Sequence, residues 1–148
     1  MKSDEKSILN IKSNNEIKKL VTEEGKIAYQ DFGGNGEAVI CIPSLGDTMN
    51  EYRFLAEKLK EEGFRVITMD LRGHGNSDTT FTSYNAMDIA NDISLLIKEL
   101  NLEEVNLIGC SISGGSIAAV STLTPNKVKK LVMISPFSRD VEGGDFIA

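Results

Sequence analysis

Four short apolar runs, Ala38 to Ile42, Phe64 to Met69, Val105 to Ile108 and Leu131 to Ile134, alternate with stretches of helical apolar period. Nothing else in the chain constrains its fold as strongly. Strand-length runs that are apolar on both faces must be covered on both sides, and parallel neighbours need long crossovers, which the helical stretches supply. The alternation predicts an α/β fold with a parallel sheet. In the first crossover Tyr52, Leu55, Ala56 and Leu59 recur at i, i+3, i+4 and i+7, with Thr48-x-x-Glu51 as a capping box and Gly63 as the stop. Glu57, Lys58, Glu61 and Glu62 form its solvated face. The second puts Ala86, Ile89, Ala90, Ile93, Leu96, Ile97 and Leu100 on one stripe and leaves Asp88, Asn91, Asp92, Lys98 and Glu99 to water. The third helix, about Ile112 to Leu123, ends before Thr124-Pro125, because the residue ahead of a proline is pushed out of the helical region.

Upstream, Ile17 to Thr22 and Lys26 to Phe32 flank Glu23-Glu24-Gly25 and predict a hairpin at the start of the sheet, followed by the breaker Gly33-Gly34-Asn35-Gly36. Residues 1–15 form a polar leader, and 16–148 form one domain. With 41% hydrophobic and 26% charged residues, the 148-residue chain has enough apolar matter for a core, which excludes disordered and collagen-like classes. A formal charge of −6 with no basic face argues against nucleic acid as a partner. No apolar run approaches the ~20 residues of a membrane span, and the start is not of signal-peptide type, so a cytoplasmic location is expected. Cys41 and Cys110 sit in apolar stretches and read as reduced, buried thiols. No metal cluster or cofactor loop is expected, and His74 is the single histidine.

Three segments carry chemistry. Val105 to Ser116 runs as a strand through a very short turn, Gly109-Cys110-Ser111-Ile112-Ser113-Gly114-Gly115, into a helix. Such a turn projects its central side chain above the sheet edge at the positive end of the helix, the geometry of the G-x-S-x-G nucleophile elbow. Ser111 is then the candidate nucleophile and the backbone N–H of Ile112 an oxyanion donor. Ser113 stands where the motif has glycine. Two other readings remain at this point: Ser111 as a small helix-capping residue, and Gly109-x4-Gly114 as a phosphate loop, although Gly115 occupies the place of its lysine. Ile42-Pro43-Ser44-Leu45-Gly46-Asp47 is a small loop that brings a second N–H, that of Leu45, towards the space above Ser111. Asp70-Leu71-Arg72-Gly73-His74-Gly75-Asn76-Ser77-Asp78 is a tight loop tied by Asp70, Arg72 and Ser77, with His74 as a loop or surface histidine.

Together these segments resemble the α/β-hydrolase family of lipases, esterases and lactonases. Asp70 to Ser77 is similar to that family's D-x-R-G-x-G-x-S loop and Gly109 to Gly115 to its elbow, in the family's order, over about Glu16 to Arg139. Pro43-Ser44 replaces the family's frequent His-Gly, while Leu45 matches the oxyanion position. The resemblance implies a mostly parallel sheet whose second strand is antiparallel, with helices on both faces; the family usually continues beyond a sixth strand, just after which this chain stops.

In that fold the triad follows the order serine, acid, histidine. After Ser111 no histidine follows, and Asp140, beyond the last strand, is a weak candidate acid. The expected function is hydrolysis of a small-molecule ester, lipid or lactone by Ser111, with the base and the acid supplied from a C-terminal half. The alternative is a non-catalytic fragment or binding module, since without a base Ser111 is an unactivated hydroxyl. Leu131-Val132-Met133-Ile134, apolar on both faces, would also leave an open edge that pairs with that half or self-associates.

Overall fold

The computed structural model describes residues 16–137; the leader 1–15 and Asp140 lie outside them. Strands β1 (Lys18–Val21) and β2 (Lys26–Asp31) form the expected hairpin, pairing Lys18 with Tyr29 and Val21 with Lys26. Thr22 closes the turn: its N–H and its hydroxyl both donate to the Gly25 carbonyl, at 2.9 and 2.7 Å. β2 lies antiparallel to β4 (Arg65–Met69), while β3 (Ala38–Ile42), β4, β5 (Val105–Cys110) and β6 (Val128–Ile134) run parallel. The sheet order is β1-β2-β4-β3-β5-β6.

All five residues of β3 are buried, because both of its faces are covered. Ile40 and Ile42, with Ile67, Met69 and Leu107, face α2 (Ala86–Glu99) and α3 (Ile112–Leu123), where Ile89, Ile93, Leu96, Ile117 and Val120 meet them. Val39, Cys41, Val66 and Ile108 face the other way, onto Tyr52 of a 3₁₀ turn (Met49–Tyr52) and Ala56 of α1 (Arg53–Glu61). Each such large side chain contributes roughly 1.5–3 kcal/mol by leaving water. Burial also pushes the Cys41 thiol up to about 12, so it stays protonated and inert. Asn85 caps α2 with a reciprocal box: its side chain accepts from the Asp88 N–H, and the Asp88 carboxylate accepts from the Asn85 N–H. No helix among the described residues is long and apolar enough to cross a membrane.

Several local expectations are corrected. Glu51 does not close a capping box on Thr48; the Thr48 N–H donates to Asp47 Oδ1 at 2.8 Å, and the Glu51 carboxylate turns to Ser44. Leu55 is 38% exposed, because the 3₁₀ turn and α1 together present only a narrow stripe, Tyr52, Ala56 and Leu59, to the sheet. Asp92 is buried, since Arg72 reaches it from another segment, a contact invisible to a helical wheel. Cys110 is half-buried, and neither cysteine is in a disulfide. β6 starts at Val128, three residues earlier than its apolar run, and Val132, Met133 and Ile134 on it are exposed.

Candidate active site

Ser111 joins β5 to α3 with φ 59° and ψ −124°, a region that a residue with a Cβ enters only under strain of about 1–3 kcal/mol. Three backbone bonds hold it there. Its N–H donates to the Ile134 carbonyl at 3.0 Å, and its carbonyl accepts from Gly114 at 3.0 Å and Phe137 at 3.1 Å. Missing side chains let the strand and the helix close up. A Cβ on Gly109 would stand 2.4 Å from the Ser113 carbonyl oxygen, and one on Gly114 would stand 2.7 Å from Pro136 Cβ. Ser111 stands at the N-cap position of α3, but its side chain makes no cap bond with the helix. Its half-buried side chain sits at the N-terminus of the helix, where the dipole favours developing negative charge.

Ser113 is fully buried, and its hydroxyl donates to the Pro43 carbonyl at 2.5 Å. The non-glycine residue in the turn motif therefore fits because its one polar atom has a partner, and it ties α3 to the 43–47 loop. That loop is held from other elements too. Tyr52 donates to the Ile42 carbonyl at 2.7 Å, and both the N–H and the hydroxyl of Ser44 donate to Glu51 at 2.7 Å. Asp70 Oδ1 accepts from the Met49 N–H at 2.8 Å. Leu45, at the tip, is 52% exposed.

The 70–78 loop packs beside it. Asp70 is fully buried, and its second oxygen accepts from the Asn76 N–H at 2.9 Å; a Cβ on Gly75 would lie 2.3 Å from that oxygen. Ser77 links the Asp70 carbonyl (3.1 Å) to the Ala28 N–H (2.8 Å). Arg72 ties the loop to α2 rather than within itself. Its guanidinium donates twice to Asp92, both at 2.9 Å, and once to the Ser83 carbonyl at 2.8 Å, and it stacks on Phe81 at 4.4 Å. Burial raises the Asp92 carboxyl, and the two hydrogen bonds from Arg72 pull it part of the way back. His74 Nδ1 lies 2.9 Å from the Arg72 carbonyl, and its Nε2 accepts from the Gly46 N–H at 2.9 Å. Both ring nitrogens are thus engaged away from Ser111.

Sequence reading singles out Ser111, Ile112 and Leu45 as candidates but gives no sign of the tethers from Glu51, Tyr52, Ser113 and His74. These join residues 10 to 70 positions apart or sit where a local motif gives them another role, as at Glu51.

Residues 37–146 match the family model described as the alpha/beta hydrolase fold. The chain belongs to that family. It is 32% identical over 119 residues to the AB hydrolase superfamily protein YisY of Bacillus subtilis, covering 78% of this chain and 44% of that one. It is 30% identical over 122 residues to a 2-hydroxy-6-oxononadienedioate/2-hydroxy-6-oxononatrienedioate hydrolase of Pseudomonas putida, covering 75% and 43%. A solved structure from work on carboxylesterases of the thaumarchaeon Nitrososphaera gargenis superimposes with a TM-score of 0.76 at 26% identity, over 84% of this chain and 47% of that one. The chain thus spans less than half the length of these relatives.

Proposed function

We propose that the protein is a serine hydrolase of carboxylic ester, lipid or lactone bonds, with Ser111 as its nucleophile. The strained backbone of Ser111 between β5 and α3 carries this reading. The Ser111 hydroxyl oxygen attacks the acyl carbon, and the oxyanion is held by the N–H groups of Ile112, in the first turn of α3, and of Leu45. The alcohol leaves with a proton, and water then releases the acid from the acyl-enzyme. Because His74 is engaged elsewhere, the base of the triad comes from a C-terminal half, the acid comes from that half or from Asp140, and the exposed edge at β6 receives its strands. The chain of 148 residues by itself is then inactive or nearly so. The substrate is a small molecule, no cofactor takes part, and the setting is cytoplasmic.

The engagement of His74 also favours a second reading, a binding module without chemistry. A fluorophosphonate probe separates the two, applied to the chain alone and together with the C-terminal half. Labelling of Ser111 in the complete protein is expected; no label there would sink the hydrolase reading.

A further inference from the structure

We infer that His74 is a positioning residue for the 43–47 loop: its imidazole holds the Leu45–Gly46 peptide and so restrains the loop on the C-terminal side of the Leu45 N–H. The inference rests on the reading of Leu45 as an oxyanion donor. A carbonyl only accepts, so His74 Nδ1, 2.9 Å from the Arg72 carbonyl, carries the proton, and Nε2 is left as an acceptor. The Gly46 N–H fills that acceptor at 2.9 Å. The support behind the ring is rigid, since Arg72 is clamped by Asp92 and by the Ser83 carbonyl.

What Nε2 selects is a turn type. The Asp47 N–H donates to the Ser44 carbonyl at 3.1 Å, and Gly46 has φ +82°, the value of the third residue of a type II turn. Type I differs from type II by a flip of the central peptide, here Leu45–Gly46, and that flip would carry the Gly46 N–H away from the imidazole. On the other side of Leu45, the Ser44 N–H is committed to Glu51. The Leu45 N–H therefore lies between two anchored amides and faces no acceptor among the described residues. The Gly46–His74 bond is exposed to water, so it sets geometry while adding little to stability.

The test uses the full-length protein, ¹⁵N-labelled. A ¹⁵N–¹⁵N coupling across the Gly46 N–H···Nε2 bond is expected, together with imidazole shifts of the Nδ1-protonated neutral form. Their absence overturns the inference whether or not the protein hydrolyses anything. On an ester substrate, His74→Phe should lower kcat by about 10- to 100-fold, with KM within about twofold and Tm nearly unchanged. His74→Gln, whose amide oxygen accepts from the same N–H, should recover most of that loss. Equal kcat in His74→Phe and wild type, or parallel losses of kcat and Tm in both variants, would refute positioning. An intact coupling in a protein that fails to label at Ser111 would remove the hydrolase reading and leave the tether standing.

Discussion

The Ser111 turn and the 43–47 loop meet through Ser113 and Pro43, yet they are fixed by opposite means. Ser111 is held by backbone hydrogen bonds and by side chains that are missing, at Gly109 and Gly114, where a Cβ would run into neighbouring chain. The loop is held by side chains borrowed from elsewhere: Tyr52, Glu51, His74 and Ser113. A region fixed by exclusion has one way to fit and fails abruptly. A region fixed by tethers loosens one bond at a time, so its variants should change geometry before they change stability.

The largest effect should come from the turn itself. Ser111→Ala is expected to abolish fluorophosphonate labelling and to lower ester turnover by about 10⁶-fold without loss of stability. Ser111→Gly should be equally inactive yet melt higher, by about 1 kcal/mol, because glycine accepts φ 59° without strain. A glycine variant that melts lower than wild type would show that the turn is not strained. Next in size is Gly109→Ala. Its methyl group would meet the Ser113 carbonyl at 2.4 Å, and a cost of about 3 kcal/mol is expected in chemical denaturation.

The tethers should give less. Glu51→Ala removes the acceptor of two part-buried Ser44 bonds, for an expected loss of about 1–1.5 kcal/mol and a fall in turnover with KM held. Ser113→Ala leaves the Pro43 carbonyl without its hydroxyl partner and should cost about 1 kcal/mol. If either variant unfolded the protein as readily as Gly109→Ala, the contrast between exclusion and tethering would collapse.

A control far from both loops should give the smallest effect. Burial alone would raise the Asp31 carboxyl, but hydrogen bonds from Arg65 and Gly33 and the Arg65 charge bring it below the usual range. A carboxyl lowered on folding adds stability that is complete above the unfolded value, about 3.9, and disappears as pH falls through the folded one. Asp31→Asn should therefore lower Tm slightly at neutral pH and not at all in strong acid. A constant deficit across that range would mean that packing, not charge, is what the variant removes.

How much of this was legible in the letters follows the same division. Ser111, Gly109 and the helix that begins at Ile112 could be read because a tight strand-to-helix turn is a local event whose steric demands fall within a few residues. The strands could be read because burial on two faces leaves continuous apolar runs. The 52–59 periodicity is right only in part, since the stripe that reaches the sheet, Tyr52, Ala56 and Leu59, is too narrow to take in Leu55. A helical wheel leaves Asp92 to water because the guanidinium that buries with it comes from 20 residues away.

The sequence by itself determined the α/β layering, the antiparallel second strand through family resemblance, and the position of Ser111, because period, turn chemistry and small residues act over short range. Only the tertiary structure decided that Glu51 serves Ser44, that Ser113 fills its place by bonding Pro43, and that both nitrogens of His74 are spent holding loops. Those contacts depend on which strand ends lie side by side in the sheet, and a pairing between distant segments leaves no period in either of them.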